Sequence, residues 1–233
     1  LGWTIAQTSV GRLLNLTSTY LQRRTWQSLA ALVRHADVYV FVSRQLDDAL
    51  QSDDRQACNW LTQLDRLLAN HYPVRVADPL PPQALKDCPT AKLVGDAVEE
   101  WLAVFSGPNQ SIAQWSVVID AWLDELFSQP RADLPAPGLP TGKDARPYEP
   151  SERTDRTSLA LNSVRRVVGR FAALNDQLEV SVNGGAAIEM LSGRLADVRV
   201  VDAAKPEEVE ILGWLDLALD DAPALVVIGL NHP

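Results

Sequence analysis

The sequence predicts a mainly α protein with a small α/β element at its C-terminal end. Apolar residues recur at three and four positions over most of the chain, the period of a helix with one buried face. Prolines and cap-forming Ser, Thr and Asp residues bound these blocks. The end of the chain differs. An apolar run at Val209, Ile211 and Leu212, an amphipathic stretch around Trp214–Leu219 and a continuous apolar run over Ala224–Ile228 read as strand, short helix and strand.

Thr8 or Ser9 caps a first helix carrying Val10, Leu13, Leu14, Thr17 and Leu21. Trp26–Val33 continues the pattern, and Val38–Val42 reads as a buried helical turn or a short strand. Ser52-Asp53-Asp54 precedes a broad stripe of Ala57, Trp60, Leu61, Leu64, Leu67 and Leu68, which Pro73 ends. Pro79, Pro81 and Pro82 read as a turn. Thr90–Phe105 and Ser111–Phe127 follow as helices, the second closed by Pro130.

Arg131–Pro150 then holds Pro135, Pro137, Pro140, Pro147 and Pro150 with Gly138 and Gly142, and has no hydrophobic period. Proline lacks an amide hydrogen and restricts the residue before it, so this stretch reads as a linker or long exposed loop. The expected organisation is a helical domain over 1–130, a proline-rich linker over 131–152, and helices followed by the strand–helix–strand element over 153–233. In the last part Thr157–Leu174 places Leu161, Val164, Val168, Phe171 and Leu174 on one helix face. Asn183-Gly184-Gly185 breaks the chain before a helix over Ala186–Leu195, and Val198–Val201 reads as a strand.

With 233 residues, 46% of them hydrophobic and 22% charged, the chain can bury a substantial core. No apolar run approaches the roughly 20 residues that cross a bilayer, and Leu1–Tyr20 lacks the basic start and apolar block of a signal peptide. The expectation is a cytoplasmic protein with no membrane partner. The chain has no initiator methionine and stops abruptly at Asn231-His232-Pro233, so it reads as an excised fragment of a longer protein. A net charge of −9 and a pI near 4.8 exclude a surface that binds nucleic acid throughout, though not a local basic strip. Cys58 and Cys88 are isolated and read as buried, reduced thiols. With no CxxC pair and only His35, His71 and His232, neither a metal site nor a cofactor is expected.

No catalytic motif is present. The chain has neither a phosphate loop nor a GxGxxG fingerprint nor a GxSxG elbow, and no serine has evident His and Asp partners. Asn183-Gly184-Gly185-Ala186-Ala187 reads as a helix start that needs no ligand. The acidic pairs Asp47-Asp48, Asp53-Asp54, Glu99-Glu100, Glu207-Glu208 and Asp220-Asp221 read as solvated element ends. An enzyme built on Asp216, Asp220 and Asp221 would need them buried together. Trp60, Trp101, Trp115 and Trp122 fall on apolar faces and read as core.

The basic residues are the candidate binding groups. Arg153, Arg156, Arg165, Arg166 and Arg170 crowd one region, with a looser group at Arg23, Arg24 and Arg34. Arg165, Arg166 and Arg170 are the candidate nucleic-acid contacts, because such a strip can follow a phosphate backbone. The same arginines can instead pair with Asp155, Asp176 or a neighbouring domain.

The C-terminal pattern VEILGWLDLALDDAPALVVIGLN resembles the strand–helix–strand near the end of the helicase-like region of AddB-type subunits of bacterial helicase–nucleases, which are related to RecC. In that family the second strand runs into a Gly-[Leu/Phe]-Asn-Glu-Gly turn. Gly229, Leu230 and Asn231 match it, and His232-Pro233 stands in place of Glu-Gly. Thr8–Leu14 followed by Ser28–Val38, and Leu159–Leu174 leading into Ala186–Leu195, are similar to the same family. The resemblance implies a helical domain plus part of an inactivated, superfamily-one-like motor domain. It implies a non-catalytic region that guides DNA during end processing and recombinational repair, within a parent that is an ATP-dependent helicase or nuclease subunit. Single-stranded or forked DNA and a partner helicase subunit are the implied partners. The competing reading is a helical protein-interaction scaffold with no nucleic-acid contact.

Overall fold

The computed structural model describes residues 3–50, 59–128, 150–173 and 181–200. All belong to the first of the two units into which the chain divides, Leu1–Val201 and Asp202–Pro233. The described residues are mainly helical, as the apolar period predicts. The strand–helix–strand expected over residues 209–228 lies outside them.

Helix α1 (Ser9–Arg23) begins where Thr8, in extended backbone, accepts a hydrogen bond from the Gly11 amide through its side-chain oxygen. The chain reaches this cap through a 3-10 turn, Ile5–Gln7, that folds back on the helix. A Cβ at residue 11 would lie 2.0 Å from the Ile5 carbonyl oxygen, so only glycine permits the approach. Helix α2 (Trp26–Val33) is capped reciprocally by Thr25 and Ser28. Val38–Val42, which the sequence left as helical turn or strand, is helix within α3 (Ala36–Leu50). Val38, Val42 and Leu46 recur every four residues and are buried, and that burial outweighs the weak helix preference of valine.

Helix α4 (Trp60–His71) ends at Tyr72, which takes the left-handed conformation with φ 47°. The expected proline turn is shorter than the sequence indicated. Pro82 opens helix α5 (Pro82–Asp87), where its missing amide hydrogen costs nothing. Helix α6 (Pro89–Trp101) stops before the expected Phe105, and Ala103–Phe105 tightens into a 3-10 turn. Helix α7 runs over Ile112–Ser128 and α8 over Pro150–Ala172. The latter starts at Pro150 rather than Thr157, again with proline in the first turn.

Helix α9 (Gly184–Leu195) is capped by Asn183, whose side chain accepts from the Ala186 amide at 2.8 Å. The glycines of this segment serve packing. A Cβ on Gly184 would sit 2.7 Å from the Phe105 carbonyl oxygen. Among the described residues, four short strands tie the ends of helices together. β1 (Trp3–Thr4) pairs antiparallel with β4 (Arg199–Val200), and β2 (Gln110–Ser111) with β3 (Ser181–Val182).

Helices from both sides of the proline-rich segment share one core. α1 packs on α2, α8 and α9, and α7 on α8 and α9. Ser18 of α1 donates to the Gly185 carbonyl of α9 at 3.3 Å. Trp26, Trp60, Trp101, Trp115 and Trp122 are all buried.

The glycines separate packing from propensity, and urea unfolding can measure the difference. Gly11→Ala forces a Cβ into the Ile5 carbonyl and should cost about 3 kcal/mol. Gly193 is exposed inside α9 with nothing within 4 Å of the added carbon, so Gly193→Ala should stabilise by about 0.5–1 kcal/mol. Equal effects of the two substitutions would contradict this account.

Candidate functional site

The three candidate arginines do not act alike. All lie on α8, but Arg165 points to α7 and pairs there with Asp124 and, at 3.7 Å, with Asp120. Its partners are two carboxylates four residues apart on the neighbouring helix, whereas the side chains of Asp155 and Asp176 lie outside the described residues. Arg166 and Arg170, one turn apart, are both exposed, and among the described residues neither has an acidic partner. Ser158, Asn162 and Gly169 share their exposed side, and residues 157–173 contain no acid. Gly169 has open space around it, so no packing contact accounts for a glycine inside this helix. Of the looser basic group, Arg23 is exposed, Arg24 pairs with Glu99 at 2.5 Å, and Arg34 pairs with Asp65.

A second cluster is invisible in the sequence. Where no serine had evident His and Asp partners, the structure brings Ser9, His35 and Asp37 together. Ser9 Oγ lies 3.1 Å from His35 Nε2, and His35 Nδ1 lies 3.7 Å from Asp37 Oδ2. Ser9 Oγ also donates to Asp37 Oδ2 at 3.4 Å. The same Nε2 is 3.0 Å from the Ser9 carbonyl oxygen, which can only accept. Nε2 therefore carries the proton in that contact and cannot serve as general base for the hydroxyl. The trio holds the start of α1 against the start of α3, and both His35 and Asp37 are buried. The first turns of the two helices border a cavity of about 470 Å³ lined by Gln7, Thr8, Ser9, Arg12, Arg34 and His35 among others.

A third polar network is structural. The buried Tyr20 hydroxyl donates to Glu99 Oε1, while Arg24 donates to Glu99 Oε2 at 2.5 Å and to Ser106 Oγ at 2.7 Å. Arg24 holds a left-handed backbone with φ 45° at the end of α1. Burial, reinforced by the Glu99 carboxylate, pushes the Tyr20 phenol well above its ordinary range.

Cys88 is fully buried and its thiol is pushed up by that burial. His71 lies 3.2 Å from Asp87. Among the described residues no three His, Cys, Asp or Glu side chains gather as a metal site, and no helix is long and apolar enough to cross a membrane. Asp216, Asp220 and Asp221 lie outside the described residues. The chain matches no family model, no curated protein and no solved structure.

The tyrosine network has a signed pH dependence. The folded phenol holds its proton beyond the pH at which the unfolded one, with a pKa of about 10, loses it. Its stabilisation is therefore complete below about pH 10 and declines as pH rises further. Tyr20→Phe should cost about 1–2 kcal/mol at neutral pH in urea unfolding, and the difference from the wild type should narrow above about pH 10. A difference that widens there would overturn the assignment.

Proposed function

We propose that this chain is a non-catalytic, DNA-guiding region of an AddB-like helicase–nuclease subunit, active in DNA end processing and recombinational repair. The observation that carries the reading is the exposed side of α8. In a chain of net charge −9, Arg166 and Arg170 stand one turn apart with no acid between them and no ionic partner among the described residues. Two guanidinium groups at that spacing can each take a phosphate oxygen of one strand, with charge-assisted hydrogen bonds. Gly169 between them leaves the backbone of the helix open to close approach. It lowers helix stability by about 1 kcal/mol without a packing gain, as a binding surface can require. The resemblance of Thr8–Leu14, Ser28–Val38, Leu159–Leu174 leading into Ala186–Leu195, and the C-terminal segment to AddB-type subunits supplies the context.

The role is positioning rather than chemistry. Arg165 is committed to Asp120 and Asp124 and fixes α8 on α7, while its neighbours hold the sugar–phosphate backbone. Single-stranded or forked DNA is the substrate of this surface, and a partner helicase subunit supplies the ATP-driven movement.

A second reading, a protein-interaction scaffold, draws on the exposure of Tyr72 (77%), Val74 (67%) and Val117 (66%). Salt titration separates the two. Binding of fluorescent forked DNA should weaken with salt, and the double substitution Arg166→Glu, Arg170→Glu should cut affinity at least tenfold at low salt. It should also reduce the slope of log K against log salt by about 0.7 for each phosphate that the variant no longer neutralises. Affinity that is negligible and insensitive to salt, or unchanged in the double variant, removes DNA from the function of α8 and leaves the scaffold.

A further inference from the structure

The cavity at the meeting of α1, α2 and α3 has a composition that the DNA-guiding reading does not use. Its polar lining consists of Gln7, Thr8, Ser9, Arg12, Arg34 and His35. Two arginines and a histidine thus face it with three further polar side chains, and among the described residues no carboxylate lines it. That is unusual for a chain with 30 acids against 21 lysines and arginines. We infer that this cavity is a binding site for a phosphate monoester.

Charge is the first support. Asp37 lies behind the wall, engaged by Ser9 and His35. Arg34 is partly neutralised by Asp65, and its two hydrogen bonds, to Asp65 and to the Ala30 carbonyl, leave further N–H donors of its guanidinium. Arg12 is exposed and has no acidic partner among the described residues. Arg12 is thus the uncompensated charge of the cavity, and Arg34 is a second donor already fixed in place.

Geometry adds to charge. The volume of about 470 Å³ is within the usual range for small-molecule sites and exceeds what a bare phosphate needs, leaving room for an attached sugar. Ser9 Oγ gives its one proton to Asp37, so the guanidinium groups rather than this hydroxyl supply the donors. The first turn of α1 adds the amide of Ser9, since the Gly11 and Arg12 amides are taken by Thr8 and Val10 is fully buried. A terminal phosphate carries nearly two charges at neutral pH, whereas each internal phosphate of a strand carries one. A cavity with two guanidinium groups favours the former.

The source of the monoester is either the phosphorylated end of a strand or a free small phosphate, and one experiment separates them. Isothermal titration of the 233-residue chain would use inorganic phosphate, a short 5′-phosphorylated oligonucleotide and the same oligonucleotide with a 5′-hydroxyl. The phosphorylated strand should bind at least fivefold more tightly than the hydroxyl strand if strand ends are the ligand. Saturable binding of inorganic phosphate with no preference between the strands assigns the site to free phosphates. In either case Arg12→Gln should weaken binding about tenfold, while Arg194→Gln, at an exposed position of α9, should leave binding unchanged. The inference fails if inorganic phosphate does not bind and the strands bind alike, or if Arg12→Gln and Arg194→Gln have equal effects. Because Arg12 is exposed, circular dichroism of the variant should match the wild type, which separates loss of the site from loss of the fold. The α8 surface is scored by salt dependence, so either result stands without the other.

Discussion

The burial of α1 is the constraint on which the other elements depend. Its Val10, Leu13, Leu14 and Tyr20 are fully inaccessible, and Thr17 and Ser18 are buried as well. A helix enclosed on several sides needs small residues where backbones meet. Here Gly11 admits the Ile5 carbonyl, and Gly185 receives the Ser18 hydroxyl. Those close approaches bring α9 against α1 and set the line along which α8 and α2 pack. Such packing gains dispersion energy from many atoms at once, and an extra methyl group within it costs more than it contributes.

Around that axis the tryptophans fill volume that aliphatic residues would leave open. Phe41, Trp101, Trp122, Phe105 and Trp115 form a run of ring contacts with centroids 5.0–6.1 Å apart, linking α3, α6 and α7. Trp115 also donates its indole N–H to the Val182 carbonyl at 2.7 Å, anchoring β3 to α7. This seam holds α7 in position for Asp120 and Asp124 to receive Arg165. The rigidity of the α8 surface therefore rests on aromatic packing beneath it as much as on ion pairs, which at half-exposed positions are worth little by themselves.

Much of this was legible in the sequence where interactions are local. The helical period located Leu13 and Leu14, Leu64 and Leu67, and Leu161 and Val164, and the tryptophans of apolar faces are indeed buried. Thr8 and Asn183 stand at helix starts because their side chains reach amides only three residues away. Encounters between distant segments were not legible. Ser9, His35 and Asp37 meet only because α1 and α3 begin at the same place, and nothing in their spacing signals it. Arg165 finds Asp120 and Asp124 for the same reason, through helix packing rather than sequence proximity. Val38–Val42 stayed ambiguous because a short valine-rich run suits a strand and a buried helix equally.

The pairing of α1 with α9 also bears on how the chain reaches its native state. The Ser18 hydroxyl and the Gly185 carbonyl it meets are 167 residues apart in sequence, and β1 and β4 are separated by a comparable length. Pairings of such separation are slow to form because the intervening chain must first be ordered. During synthesis α2 can pack on α1 early, but the side of α1 that meets α9 stays uncovered until α9 has left the ribosome. Apolar surface left open in that interval is where a growing chain is most prone to aggregate.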